Sequence, residues 1–440
     1  MDEPIASQKQ TSLIANRNYA LLWIGQAFSL VGDYFFSATI AIWIIDRLAR
    51  GASWLPLATG GVAMAATLPS LVVGPLAGVF VDRWSRRFTM IWTDGIRLAL
   101  VLIFLSLSLS VTNNVVLLIS CLFILLLIAS GQQFFAPARV AVVADVVPRE
   151  QHPQAYGSLQ QANYLAQIIG PSLAAPLYIA FGPTWAFGLN ALSFLVSFLV
   201  IMAIKLPIIK EDTAKEKQGF WSEFMEGLRF FVGSRILITL LISGMIFMFG
   251  GMAYNSFEYL YGVENLHIPE VWLGLYVGSF GIGVVLGLPF IGYLAKRFTE
   301  VQVLWIGLIC SGVVMMILSR STTMIPGMIC GFLFGVFSSC IFVSVRPLTV
   351  LVTPRKLIGR VMAFETPMIT VASLTGGLLA STLASTLLAN LDVTVSGMNF
   401  GRLDTIFLLI GIMSISAGIF ARLTLYRAVK KYRAEQANAG

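Results

Sequence analysis

Four polar residues in the first long apolar run, Gln26, Ser29, Asp33 and Ser37, recur at i, i+3, i+7 and i+11, the spacing of one helical face. A carboxylic acid in such a stripe can take up and release a proton or pair with a cation. Asp33 lies about 14 residues into the run, or about 21 Å at 1.5 Å per residue, a depth that corresponds to the middle of a bilayer. An ionisable group is costly there and ordinarily faces a water-filled cavity, so its charge depends on whether that cavity is wet. The competing reading is an acid buried against a polar neighbour for structural reasons. Gln160, Asn163 and Gln167 share one face of a later run and can either hydrogen-bond a substrate or join two helices. Glu258, with Tyr254 and Asn255, is a candidate for gating or cation binding. Asp94 and Arg97, three residues apart, read as a structural ion pair.

Enzyme chemistry has no comparable support. The sequence contains no H-E-x-x-H pair, no G-x-x-x-x-G-K-[ST] phosphate loop and no G-x-S-x-G elbow. Its two histidines, His152 and His267, are too few and too distant for a histidine metal site, and all four cysteines fall in apolar runs. The expectation is a protein that is no enzyme and holds no cofactor, and without an ATP site its energy must come from an ion or substrate gradient.

The elements that must position these residues follow from composition. Of 440 residues, 57% are hydrophobic and only 11% charged, with a mean hydropathy of +0.85. A soluble domain carries about 25% charged residues, so the chain cannot cover its surface with polar groups, and it belongs in a bilayer. At about 20 apolar residues per spanning helix, the runs place twelve spans at about 19–46, 54–81, 88–110, 115–143, 155–180, 185–205, 236–262, 271–295, 301–319, 325–352, 360–389 and 403–425. Of the 29 Lys and Arg residues, 24 fall on the side of the termini and four, Arg47, Arg50, Arg320 and Arg402, on the other. Both termini are therefore expected in the cytoplasm. The excess of 29 basic over 21 acidic residues reports orientation, so no nucleic-acid partner is expected.

The longest polar interruption divides the chain into residues 1–205, a linker over 206–235 and residues 236–440. Within the linker, Phe220, Trp221, Phe224, Leu228 and Phe231 share a helical face, with Glu223, Glu226 and Arg229 elsewhere, the pattern of a helix lying in the membrane interface. The two large segments echo each other. Pro75–Arg83 and Pro289–Arg297 both read P-x-x-G-x-x-x-charged-R, and VVPRE at 146–150 parallels LVTPRK at 351–356. Echoes at matching places in the span order imply two parallel six-helix repeats.

The stretch Gly78-Val-Phe-Val-Asp82-Arg83-Trp-Ser85-Arg86-Arg87 resembles the loop motif G-x-x-x-D-R-x-G-R-R of the major facilitator superfamily, with Ser85 for the second glycine. Ala166 to Ala175, containing Gly170 and Pro171, is similar to the antiporter signature of that superfamily's exporters. NYALLWIGQAFSLVGD and FFAPARVAVVADVVPRE look most like the drug:proton antiporters that include macrolide exporters. The resemblance covers essentially the whole chain. It implies an all-α major facilitator fold and a proton-coupled exporter of small amphipathic, macrolide-like molecules that works by alternating access. A lipid or siderophore exporter on the same scaffold, or a receptor without transport, is the alternative. Arg139, Asp145, Arg346 and Glu365 fall near cytoplasmic helix ends and join Asp82 and Arg83 as candidates for a cytoplasmic gate. The expected setting is a bacterial inner or cell membrane, with lipid, protons and the exported molecule as partners of a monomer.

Overall fold

The computed structural model describes residues 13, 16–81, 84–148, 151–204, 220–294, 297–354, 357–395 and 398–439. Helix α1 (Arg17–Trp43) continues into a π-turn at Ile44–Leu48, followed by α2 (Leu55–Val72), α3 (Gly74–Val81), α4 (Arg86–Ser110), α5 (Asn114–Val146), α6 (His152–Phe181) and α7 (Pro183–Ala203). Then come α8 (Phe220–Gly233), α9 (Arg235–Glu264), α10 (Glu270–Leu294), α11 (Glu300–Leu318), α12 (Met324–Val352), α13 (Ile358–Ser385) and α14 (Arg402–Ala439). Among the described residues, twelve helices are long and apolar enough to cross a membrane: α1, α2, α4 to α7 and α9 to α14.

Local chemistry sets several of these boundaries. The Asn16 side chain caps α1 by accepting from the amides of Asn18 and Tyr19, and its Nδ2 donates to Val146 O at 2.6 Å, tying the start of α1 to the end of α5. Thr299 and Gln302 form a reciprocal capping box on α11. The apolar run at 54–81 is one span in the sequence, yet its helix breaks at Val73, between Pro69 and Gly74, into α2 and α3. Past the apolar core of α14, a Lys-, Arg-, Glu- and Ala-rich segment of good helix formers carries the helix on to Ala439. The connection before α14 holds an antiparallel hairpin, β1 (Asp392–Val395) with β2 (Met398–Gly401), which a search for apolar runs does not register.

Packing sorts the helices into two groups. In the first, α1 packs on α6 and α7, α4 on α5 and α7, and α2 on α5. In the second, α9 packs on α13 and α14, α11 on α12 and α14, and α10 on α12. Lipid tails are as apolar as leucine, so close van der Waals fit and hydrogen bonds hold such helices together. Large side chains such as Phe88, Trp92, Leu109 and Ile325 project outward, whereas inward surfaces bring backbones into contact. A Cβ added to Gly283 would lie 2.0 Å from Phe332 O, and one on Gly335 2.1 Å from Phe280 O, so at these two points only glycine lets α10 and α12 approach so closely. Phe36, Trp43, Phe104 and Phe187 interlock across α1, α4 and α7 with ring centroids 4.8–6.2 Å apart.

The groups meet where α6 contacts α10 and where α2 contacts α13 and α9. Their closest approaches lie toward the end of the bundle away from the termini. A Cβ on Gly60 would fall 1.8 Å from Ser381 Oγ, and one on Gly274 1.9 Å from Pro171 O. Helix α8 docks on α13 and α9. Phe231 is buried with its ring 5.3 Å from that of Phe364, and Arg360 pairs with Glu226. Leu228 is half-buried, whereas Met225 and Val232 are exposed. The end of the apolar face nearest α13 therefore packs on protein, while the side chains of residues 220–224 lie outside the description.

Candidate functional site

Between the two groups lies a cavity of about 410 Å³, walled by α1, α2, α5 and α6 on one side and by α9, α10 and α12 on the other. Helix α9 contributes most, because Phe247, Gly251, Tyr254 and Glu258 recur at helical spacing and fall on one face. The wall is largely apolar and aromatic, with Tyr34, Phe280, Phe334 and Phe342 among its rings. Ser37, Thr59, Gln167, Asn255 and Glu258 supply scattered polar groups. This mixture, at this volume, suits a small amphipathic molecule.

Beside the cavity, charge is concentrated in one cluster. Arg97 of α4 donates from Nη2 to Asp33 Oδ2 of α1 at 2.8 Å and from Nη1 to Asp94 Oδ1 at 3.4 Å. Ser197 of α7 donates to the other Asp94 oxygen at 2.6 Å. The guanidinium lies over the Phe194 ring at 4.2 Å, and its stem runs along Gly131 of α5, where a Cβ would come within 3.3 Å of Cγ. Among the described residues, Arg97 is the only cation within electrostatic reach of either acid. Two carboxylates and one guanidinium leave one excess negative charge, which one proton cancels. Access is unequal: the side chain of Asp33 is 30% exposed, against 3% for Arg97 and 0% for Asp94. Of the two acids, Asp33 is the one in contact with solvent.

The structure distributes the sequence candidates in four ways. Gln167 and Glu258 line the cavity, and Asn163 accepts a hydrogen bond from Tyr34, a lining residue, at 3.0 Å. Gln26 and Ser29 are buried; Arg139 donates to Gln26 at 2.8 Å, so these two face helix packing and not the cavity. Gln160 is exposed, nearer the end that carries the termini. Gly170 and Pro171 sit at a three-helix crossing. A Cβ on Gly170 would lie 2.6 Å from Tyr34 Cβ of α1, while the Pro171 carbonyl abuts Gly274 of α10.

The loop-motif residues act locally where they are described. Arg86 pairs with Asp145 at 2.5 Å, joining α4 to α5. Arg87 donates to the carbonyls of Ile201 and Met202, satisfying the last turn of α7. Gly78 lies in α3. Asp82 and Arg83 lie outside the described residues. Arg346 contacts Met362 Sδ at 3.0 Å and lies within electrostatic reach of Glu365.

Sequence reasoning missed the role of Arg97 toward Asp33, because the two are 64 positions apart. It also missed Tyr34, whose neighbour in sequence is the acid itself. At the far end, Tyr178 donates to Asp46 at 2.7 Å and Arg402 pairs with Glu264 at 2.5 Å, contacts that no local spacing announces.

Comparison with known proteins adds an independent line. A family model described as "Transmembrane secretion effector" matches residues 10–417. The uncharacterized MFS-type transporter YkuC of Bacillus subtilis is 26% identical over 402 residues, which cover 88% of this chain and 90% of that protein. The multi-drug resistance efflux pump PmrA homolog of Lactococcus lactis is 24% identical, covering 84% and 88%. Macrolide efflux protein A of Streptococcus pyogenes is 24% identical over 60% of this chain and 64% of its own length, so that match spans less than two thirds of the relative. Among solved structures, the POT family transporter PepTSo superimposes with a TM-score of 0.74 at 14% identity, covering 94% of this chain and 98% of that one. A bacterial homolog of the lysosomal transporter Spinster, captured inward-facing and unoccupied, gives 0.66 at 14% identity over 94% and 96%.

Proposed function

The chain belongs to the transmembrane secretion effector family of MFS-type transporters, and from that premise we propose that it exports small amphipathic molecules in exchange for protons. The observation that carries the reading is the Asp33–Arg97–Asp94 cluster, with its one excess negative charge beside a cavity of suitable size. A proton arriving at Asp33 balances the cluster and frees Arg97 to settle on Asp94. Its departure restores the Asp33–Arg97 bridge between α1 and α4. Each state favours a different packing of α1, which also touches α6 at Gly170 and lines the cavity through Tyr34 and Ser37.

Alternating access then consists of the two groups, residues 1–205 and 236–440 joined by 206–235, rocking about the cavity. With both termini in the cytoplasm, as the basic residues argue, the contacts at Gly60–Ser381 and Gly274–Pro171 close the outer face. This conformation is then the one that receives substrate from inside. The relatives named for macrolide and multidrug efflux support an outward direction and an amphipathic cargo. One proton moving inward across 100 mV and one pH unit releases about 3.7 kcal/mol, enough for a concentration ratio of about 500 at 1.4 kcal/mol per tenfold.

The test is uptake of a fluorescent dye and of a macrolide into everted membrane vesicles. Accumulation should follow an imposed pH gradient and collapse with it. Accumulation that is unchanged when the gradient is dissipated would overturn proton antiport.

A further inference from the structure

The cavity has a second carboxylate on the wall opposite α1. Glu258 of α9 is 7% exposed and lines the cavity, and among the described residues no lysine, arginine or histidine pairs with it. A carboxylate removed from water without a counter-charge is strongly disfavoured, so this site calls for a proton or a cation. Its surroundings favour the second. The rings of Tyr254, Phe280 and Phe334, all in the cavity wall, form a triangle with centroids 5.1–6.3 Å apart. Tyr254 lies one helical turn before Glu258 on the same face. The buried Tyr254 hydroxyl interacts with both Glu258 and Tyr276, and Tyr276 and Tyr259 lie within electrostatic reach of Glu258.

An acid without a counter-charge in a cavity walled by tilted aromatic rings is the chemistry that holds an ammonium or phosphonium centre: the carboxylate supplies the charge and the rings supply cation–π attraction, which strengthens away from water. We propose that Glu258 and the Tyr254–Phe280–Phe334 rings form a subsite for the charged centre of a monovalent organic cation, separate from the proton site at Asp33. The proposal rests on the export reading for its transport consequence but not for binding. Proton and substrate charge would then be handled by different carboxylates on opposite groups of helices. A cationic substrate answers the charge of Glu258 directly, whereas a neutral substrate is carried with Glu258 protonated.

The experiment is equilibrium binding to the purified full-length protein in lipid nanodiscs, with no gradient. The probes are tetraphenylphosphonium and the neutral triphenylphosphine oxide. Glu258→Gln should weaken tetraphenylphosphonium at least about tenfold while leaving the neutral probe within about twofold. Glu258→Asp, which keeps the charge on a shorter stem, should retain part of the preference for the cation and guards against a folding defect in the amide variant. The readout is the ratio of the two affinities. An unchanged ratio in Glu258→Gln overturns the proposal, and so does a wild type that does not bind the cation. A wild type that binds selectively but shows no gradient-driven flux would instead defeat the export reading and leave the subsite standing.

Discussion

The charge balance around Arg97 makes one prediction that can be followed in magnitude. With all three groups ionised, the wild-type cluster carries one excess negative charge; Asp94→Asn and Asp33→Asn each leave a balanced pair, and Arg97→Gln leaves two acids and no cation. Deleting one partner of a buried ion pair costs about 3–5 kcal/mol. Arg97 answers two acids at 2.8 and 3.4 Å with only 3% of its side chain exposed, which places Arg97→Gln toward the upper end of that range. Most of the penalty falls on Asp94, which is wholly buried, while Asp33 keeps partial contact with water. Asp94→Asn, by contrast, weakens the Ser197 bond by about 1 kcal/mol and removes the uncompensated charge, so its stability should match or exceed that of the wild type. Thermal unfolding in detergent can be followed with a thiol-reactive fluorophore, since Cys121, Cys330 and Cys340 are buried and react on unfolding. Arg97→Gln should unfold on the order of 5 °C lower in alkaline buffer. It should recover in acid, where the folded variant holds its carboxyls neutral, and the Arg97→Gln/Asp94→Asn double variant should regain most of the loss. Arg97→Gln as stable as the wild type in alkaline buffer, or Asp94→Asn less stable than Arg97→Gln, would refute this account of the cluster.

Three further outcomes follow from contacts elsewhere. Gly274→Val should disfavour the closed end, because its Cβ would stand 1.9 Å from Pro171 O; disulfide cross-linking of a Gly60→Cys/Ser381→Cys pair should fall several-fold in that background. Gly335→Ala meets Phe280 O within one helix group and should instead lower thermal stability by about 1–3 kcal/mol, read in the same thiol assay, without a selective loss of that cross-link. Asn16→Ala removes the cap of α1 and its bond to Val146 O, and should cost about 1 kcal/mol in the same measurement.

Much of this architecture is legible in the sequence, because spanning helices announce themselves by length and apolarity. Among the described residues each of the twelve runs holds one helix long enough to cross a membrane, with the run at 54–81 breaking after α2, and Phe220–Gly233 is helical where the amphipathic pattern places a helix. The site is less legible. Gln26, Ser29, Asp33 and Ser37 share one face of α1, but that face passes different neighbours as it rises. Its lower part meets Arg139 of α5, its middle meets Arg97 of α4, and only Ser37 reaches the cavity. Periodicity reports a face and not what lies opposite it. For the same reason Asp94 and Arg97, legible as an i, i+3 pair, conceal the shorter bond from Arg97 to Asp33. Glu258 stands out in the structure because no cation among the described residues accompanies it, and spacing along α9 carries no information about that.

Proton coupling through Asp33 is tested most directly in proteoliposomes containing only this protein, with an internal pH dye and a translocated dye recorded together. Wild type should acidify or alkalinise the lumen in step with substrate movement against its gradient. Asp33→Asn should lose both gradient-driven accumulation and the linked pH change, while substrate counterflow, which needs no net proton movement, continues. Gradient-driven accumulation by Asp33→Asn equal to that of the wild type would remove the cluster from the mechanism and contradict the account.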